Sequence, residues 1–281
     1  MLNVVNRISN LKMAPFSVLM AIYRNTNADF FEQALHSVWT SQILKPSEIV
    51  VVCDGPISKA VENILLQWEA RLIEKMVVVK LSVNSGLSVA LNKGLECCSY
   101  DLVARMDDDD ISLPSRFLYQ YTFMELHQDI AVLGAQVEER SEDLSKVLSS
   151  KILPLTNEQI IKFSKWRCPV NHPTVFFRKH IVQKIGGYPN IYPEDYPLWG
   201  KMIVQKYKFQ NLPDKLVLMR QELAAIQRRG IKFFLGEVKV LKFLYSIGHI
   251  SSNQFVLAVV ARLFLRLAPK IMKITLYRIF R

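Results

Sequence analysis

Cysteine is scarce in this chain: Cys53, Cys97, Cys98 and Cys168 are the whole supply in 281 residues, and no two of them form a C-x-x-C pair. Neither a zinc site nor a disulfide framework is supported, because the adjacent Cys97 and Cys98 are badly placed to bridge each other. A reducing, cytoplasmic setting fits that usage. The N-terminal stretch MLNVVNRISNLKMAPF has neither a continuous apolar run nor a small-residue cleavage site, which argues against a secretory signal. Internal repeats, low-complexity tracts and long linkers are missing too. Acidic residues are few, 25 Asp and Glu against 36 Lys and Arg, for a formal charge of +11. Such an excess points ordinarily to nucleic acid or an anionic surface. Here it is local: residues 231–281 hold nine Lys or Arg and the single acid Glu237, so the first 230 residues carry little net charge.

Half of the residues are apolar, enough for one large α/β domain and an appendage. FSVLMAIY (16–23), EIVVVCD (48–54), KMVVVKLS (75–82) and YDLVARMD (100–107) are short, nearly continuous apolar runs, as strands covered on both faces read. DFFEQALHSVWTSQ, ISKAVENILLQWEARL and GLSVALNKGLECC lie between them, with apolar residues at three- and four-residue intervals. Alternating strand and helix predicts a mostly parallel sheet with right-handed crossovers. Functional residues in such a sheet gather at the carboxyl ends of the strands. Those ends read Tyr23-Arg24-Asn25, Asp54-Gly55, Asn84-Ser85-Gly86 and Asp107 to Asp110. Beyond residue 130 the pattern loosens into IAVLGAQVEER, a helix near 156–166, HPTVFFRK, a helix after PEDYPLW, and LPDKLVLMR, read as the second half of the same domain.

The stretch RMDDDDISLP (105–114) concentrates negative charge in a basic protein. Four adjacent carboxylates repel one another, raising their pKa values and destabilising the fold unless cations offset them. Oxygen-only ligation with few protein ligands suits Mg²⁺ or Mn²⁺. Taken alone, the run reads more readily as a solvated acidic turn with Asp110 or Ser112 as the N-cap of the next helix. An EF-hand loop is excluded, since its Gly and distal Glu are absent. The neighbours favour the ion. An aromatic ring (Tyr23), an acid (Asp54), a Gly-led helix start (Gly86) and a metal-suited cluster converge on one edge, as a nucleoside diphosphate requires. The ring would stack on the base, Asp54 would accept its imino proton, and the helix N-terminus would face anionic oxygen.

In these stretches the chain resembles the family 2 glycosyltransferases, with their GT-A fold. The resemblance rests on SVLMAIYRN, VVCDG, NSGLSVALNKG, RMDDDDISLPSR (similar to the family's D-x-D-D form of the D-x-D metal motif), NHPTVFFRK and GGYPNIYPEDYPLW (similar to its acceptor-side Glu-Asp motif), in order over residues 15–230. It implies that Tyr23 and Asp54 hold the base, with Gly86 and Arg105 in the nucleotide-binding set. It implies further that Asp107 contacts ribose or metal, that Asp109 is the main metal ligand, and that Asp195, beside Glu194, is the catalytic base. His172 falls on the acceptor or diphosphate side. Without the resemblance, Pro193-Glu194-Asp195 reads as an ordinary helix start, His172 as a structural histidine, and Arg105 and Arg116 as cations that neutralise the cluster. Two departures stand out: the first loop reads Tyr-Arg-Asn rather than Tyr-Asn, and the processive members' Q-x-x-R-W is absent, QRRG (227–230) being at most a remnant. Transfer of a single sugar is therefore expected rather than polymer synthesis.

From Phe243 to Ala261 there is no Lys, Arg, Asp or Glu, yet Ser246, Gly248, His249, Ser251, Ser252, Asn253 and Gln254 oppose a membrane-spanning helix. Arg262, Arg266, Lys270 and Lys273 then recur at spacings that place them on one helical face. This interfacial amphipathic pattern suits an anionic cytoplasmic leaflet; the alternative is a helix pair packed on the catalytic domain. The expectation is a GT-A catalytic domain over 1–230, with a nucleotide-binding half at about 15–128 and an acceptor half at about 129–230, followed by a basic, helical, membrane-associating tail over 231–281. Its activity would be inverting, metal-dependent transfer from a nucleotide-sugar, a UDP-sugar by preference, to a lipid-linked glycan acceptor in bacterial surface polysaccharide assembly. The site would be cytoplasmic, peripheral to the inner membrane, with no nucleic acid partner. A sugar-phosphate nucleotidylyltransferase would need a Gly-rich phosphate loop after the first strand, and Tyr23-Arg24-Asn25-Thr26 is not one. A non-catalytic adaptor with a dead transferase domain would have no use for intact Asp54, Asp109 and Asp195.

Overall fold

A computed structural model of the protein describes residues 15–221 and 231–267. The first four strands, β1 (Phe16–Ile22), β2 (Glu48–Cys53), β3 (Met76–Lys80) and β4 (Leu102–Arg105), are parallel and lie in the order β3-β2-β1-β4. They are joined by α1 (Ala28–Val38), α2 (Lys59–Arg71) and α3 (Leu87–Cys97). Each of the four apolar runs became a strand, and the reason is visible in β1. Phe16, Val18, Met20 and Ile22 enter the core cluster that includes α1 and α2, whereas Leu19 enters the opposite cluster with α3. Alternate side chains are buried on opposite faces, so hardly any position is left for a polar residue. Gly94 lets α3 press onto that second face, because a Cβ there would come within 2.3 Å of Leu19 Cδ1.

The second half completes the same sheet. After the short β5 (Ile111–Ser112) and α4 (Arg116–Leu126) come β6 (Ile130–Arg140), β7 (Val147–Lys151), α5 (Asn157–Phe163), a 3-10 turn at His172–Thr174, β8 (Phe176–Arg178), α6 (Lys179–Lys184), α7 (Asp195–Val204) and β9 (Lys208–Arg220). The described sheet runs β3-β2-β1-β4-β8-β6-β9-β5, with β7 paired to β6. β8 is antiparallel to both β4 and β6, which turns the sheet from its parallel half to its mixed half. α4 begins after Ser115, so neither Asp110 nor Ser112 is its N-cap. Ser112 instead lies in β5, its hydroxyl accepting from Gln42 Nε2.

The last described elements, α8 (Ile231–Ser246) and α9 (Ser252–Leu267), form a helical hairpin packed on α7. Val240, Leu241, Leu244, Ile250 and Ala258 bury Tyr196 between them, and a Cβ on Gly200 would come within 2.2 Å of Leu244. His249 Nε2 lies 3.1 Å from Ser164 Oγ, and burial pushes its imidazole down to about 4, so it stays neutral near pH 7. No helix among the described residues is long and apolar enough to cross a membrane. Arg262 departs from the expected basic face. It turns inward, donates to the Ala258 and Trp166 carbonyls, and lies 3.6 Å from Glu237. The Arg266 side chain, Lys270, Lys273 and the QRRG stretch lie outside the described residues.

Candidate active site

Register sets the nucleotide-side residues next to one another. Ile22 pairs with Cys53, so Tyr23 and Asp54 leave adjacent strand ends together. The Tyr23 side chain is 42% exposed, as a stacking surface must be. Asp54 is buried, and its two carboxylate oxygens accept from the Ser85 and Gly86 amides at 2.6 and 2.9 Å. It ties the end of β2 to the start of α3. Gly55, at φ +82°, permits that closure, since a Cβ would come 2.6 Å from the Asn84 nitrogen. The anionic oxygen facing the Gly86 amide is thus Asp54's own. Open space remains where a Gly86 Cβ would sit.

The aspartate run divides by role. Asp108 accepts from the Thr26 hydroxyl, which itself receives the Tyr23 amide at 3.1 Å. Asp107, Asp109 and Asp110 turn together, with a carboxylate oxygen of each within 4.8 Å of the others. The expected pair of ligands, Asp107 and Asp109, is brought together, and Asp110 joins it. Asp110 is 1% exposed; its Oδ1 accepts from the Arg220 amide at 3.0 Å, and its buried Oδ2 has no hydrogen-bond partner among the described residues. Burial, then the charges of Asp107 and Asp108, pushes the Asp109 carboxyl up to about 7. Burial, then Asp107 and Asp109, likewise drives Asp110 upward. An orphaned carboxylate oxygen and three converging acids, of which Asp109 and Asp110 are pushed upward, fit a hard divalent cation bound through oxygen.

Cations of the protein frame this cluster. Arg105 is 4% exposed and pairs with Asp107, while its Nε and Nη1 are buried without a hydrogen bond among the described residues. The charge of Glu194, on the acceptor-side motif, contributes to its electrostatic surroundings. Arg116 is wholly buried and donates to the Arg105 carbonyl at 2.7 Å and to Gln120 at 3.0 Å, a structural brace for the strand end. Arg220, at the end of β9, donates to the Asp109 and Glu142 carbonyls and to Gln33 Oε1. Its hold on the cluster was not legible from sequence, because it depends on a strand one hundred residues away. Thr26 and Asp110 are further additions of the structure.

On the acceptor side, α7 begins at Asp195, so the Glu-Asp motif does start a helix. The two acids differ in surroundings. Glu194 is buried and lies 3.4 Å from His172 Nδ1. Asp195 is half-buried; Oδ1 accepts from the Tyr196 amide at 2.8 Å, and Oδ2 lies 3.2 Å from the Cys168 thiol. Among the described residues only a weak thiol donor meets the second oxygen. Asp195 is therefore the better placed to take a proton from a ligand. His172 meets Tyr188, whose hydroxyl is 3.0 Å from Nε2.

A parallel-to-mixed sheet with an acidic cluster after β4 and a Glu-Asp pair at the start of α7 is the arrangement of a nucleotide-sugar transferase class of site. Residues 17–186 match the family described as Glycosyl transferase family 2. The chain belongs to that family, and it is a glycosyltransferase. It is 36% identical over 256 residues to the UDP-Gal:alpha-D-GlcNAc-diphosphoundecaprenol beta-1,3-galactosyltransferase of Escherichia coli, covering 90% of this chain and 92% of that one. To the amylovoran biosynthesis glycosyltransferase AmsE of Erwinia amylovora it is 38% identical over 256 residues, covering 90% and 94%. Among solved structures, residues 1–349 of S. aureus TarS in complex with UDP-GlcNAc superpose with a TM-score of 0.64 at 17% identity, covering 83% of this chain and 67% of that one. That likeness establishes the GT-A-like fold.

Proposed function

We propose that this glycosyltransferase moves one sugar, with inversion, from a nucleoside diphosphate donor to a lipid-linked glycan acceptor during assembly of a bacterial surface polysaccharide. The observation that supports the reading is the convergence of Asp107, Asp109 and Asp110, with Arg105 buried against Asp107 and the charge of Glu194 of the acceptor motif in its electrostatic surroundings. That arrangement would set a site for a departing diphosphate beside a site for an attacking hydroxyl. Tyr23 would stack on the base, and Asp54 would hold the loop against which it rests. Asp107, Asp109 and Asp110 would hold Mg²⁺ or Mn²⁺, which when bound supplies positive charge against the leaving diphosphate. Arg105 adds fixed positive charge in a buried setting, where preorganised electrostatics count most. Asp195 would take the acceptor hydroxyl's proton as the hydroxyl attacks from the face opposite the leaving group. UDP-sugars are the first choice of donor, since the Escherichia coli relative is named for UDP-Gal and for a diphosphoundecaprenol-linked acceptor. Donor hydrolysis across a nucleotide-sugar panel with Mn²⁺ tests this. Turnover of a UDP-sugar that stops on chelation is expected, and indifference to chelator removes the metal from the reading.

A lipid-linked acceptor requires access to a membrane. α9 supplies a surface for it: Val256, Leu257, Val260, Leu263 and Phe264 form one exposed apolar stripe, Phe264 being 72% exposed. Lys270, Lys273, Arg278 and Arg281 follow in sequence with no acid among them. The stripe would enter the lipid interface, and each basic residue near an anionic leaflet would add roughly 1 kcal/mol. Removing the hairpin would strip cover from α7, so point changes are the cleaner test. Val260→Ser with Phe264→Ser is expected to weaken flotation with anionic liposomes by at least about tenfold, given roughly 1.5–3 kcal/mol for each large apolar side chain buried. High salt should weaken only part of the wild-type binding. Unchanged flotation of the double variant would move the contact elsewhere.

A further inference from the structure

Tyr188, a residue to which the sequence reading gave no role, occupies the most closely fixed position on the acceptor side. Its backbone is bracketed by one side chain of α3: the Tyr188 amide donates to Asn92 Oδ1 at 2.8 Å, and Asn92 Nδ2 donates back to the Tyr188 carbonyl at 2.9 Å. Gly187, at φ +67°, allows the approach, because a Cβ there would lie 2.3 Å from Asn92 Oδ1. The ring is 2% exposed, and its hydroxyl points to His172 Nε2 at 3.0 Å. Burial pushes the phenol far above its ordinary value, so it keeps its proton and donates. With Nε2 as the acceptor, the imidazole proton falls on Nδ1, which faces Glu194 Oε1 at 3.4 Å. The reverse neutral tautomer would set the Nδ1 lone pair against the lone pairs of an ionised carboxylate, a repulsive contact in a buried place. Burial raises the Glu194 carboxyl, but the hydrogen bond from His172 and the nearby Arg105 charge hold the group below the usual range. Glu194 therefore stays ionised and occupied.

We propose that Tyr188 is a positioning residue for glycosyl transfer: through His172 it fixes the proton on Nδ1 and pins Glu194, leaving the neighbouring Asp195 as the carboxylate free to act on the acceptor hydroxyl. This rests on Asp195 being the base. The chain of contacts also explains two adjacent acids with unequal freedom. One is committed to a buried imidazole, and the other reaches the site.

The test uses the full chain carrying Tyr188→Phe, His172→Gln or His172→Leu. Phenylalanine keeps the ring and the backbone bracket, so the fold should persist, with thermal melting as the check. The ring nitrogens of His172 read by ¹⁵N NMR should report the Nδ1–H tautomer in the wild type and lose that preference in Tyr188→Phe. This readout needs no catalysis, so it stands even if the proposed donor or acceptor class is wrong. In transfer assays Tyr188→Phe should lower kcat by about tenfold with the donor KM within about twofold, and should move the acid limb of the pH profile, because Glu194 loses its fixed partner. Glutamine can accept from Tyr188 and donate to Glu194, so His172→Gln should retain clearly more activity than His172→Leu. A wild-type Nε2–H tautomer overturns the proposal. So does an unchanged pH profile in Tyr188→Phe, or a glutamine variant as impaired as the leucine one.

Discussion

Asp195→Asn is expected to bind donor normally and to transfer sugar at least about a hundredfold more slowly, since a positioned general base contributes roughly 10² to 10⁴ in rate. The substitution preserves shape. Asparagine's oxygen can still accept from the Tyr196 amide, so α7 keeps its first turn. What disappears is the capacity to take a proton. The donor-side residues Tyr23, Asp54 and the aspartate cluster stand on the strand ends rather than on α7, so donor affinity by calorimetry should match the wild type. Glu194→Gln should behave differently, because Glu194 is buried against His172 and acts on the arrangement of the site. Near-normal transfer by Asp195→Asn would place the base elsewhere.

The second large effect concerns the cluster. Asp109→Asn should abolish the Mn²⁺-dependent part of donor binding while leaving the fold intact, because it removes a ligand and at the same time relieves repulsion among Asp107, Asp108 and Asp110. The sign of the pH dependence follows from the raised carboxyl. Between its ordinary value of 3.8 and about 7, Asp109 in the native protein retains a proton that the unfolded chain would release. Without metal, stability therefore falls as pH rises through that window. A bound cation removes the penalty, and its own affinity should weaken as pH drops below about 7. Melting curves at several pH values, with and without Mn²⁺, should show the largest metal-induced stabilisation at the upper end of the window. Equal stabilisation in Asp109→Asn would remove Asp109 from the ligand set.

The strands and the cluster were legible in the sequence for local reasons. β1, β2 and β4 read as apolar runs because both faces of each strand are covered, and DDDD reads as a cation site only with Tyr23, Asp54 and Gly86 set beside it, since a lone acidic run reads as a solvated turn. The Glu-Asp motif needed the family resemblance, since an acid at a helix start is commonplace on energetic grounds alone. The tail was read for its charge pattern. That pattern placed Arg262 on a solvent-facing stripe, whereas the fold uses it to join α9 to Trp166 and Glu237 and leaves apolar residues outward. Helical spacing gives the angle between residues on one helix, but it does not say which face a neighbouring helix will cover.

The sequence by itself determined the alternation of strand and helix, the strand ends that carry Tyr23, Asp54 and Asp107, and the need for positive charge beside residues 107–110. Those are properties of near neighbours: period, burial on two faces and repulsion over a few ångströms. Only the tertiary structure decided that Asp110 rather than Asp108 joins the cluster, that Asp54 is spent on the Ser85 and Gly86 amides, and that Glu194 and Asp195 have different partners. Each of those outcomes depends on a residue distant in sequence. Arg220 holds Asp110, Thr26 holds Asp108, and Tyr188 with His172 holds Glu194, and no local pattern encodes which distant donor will reach a given carboxylate first.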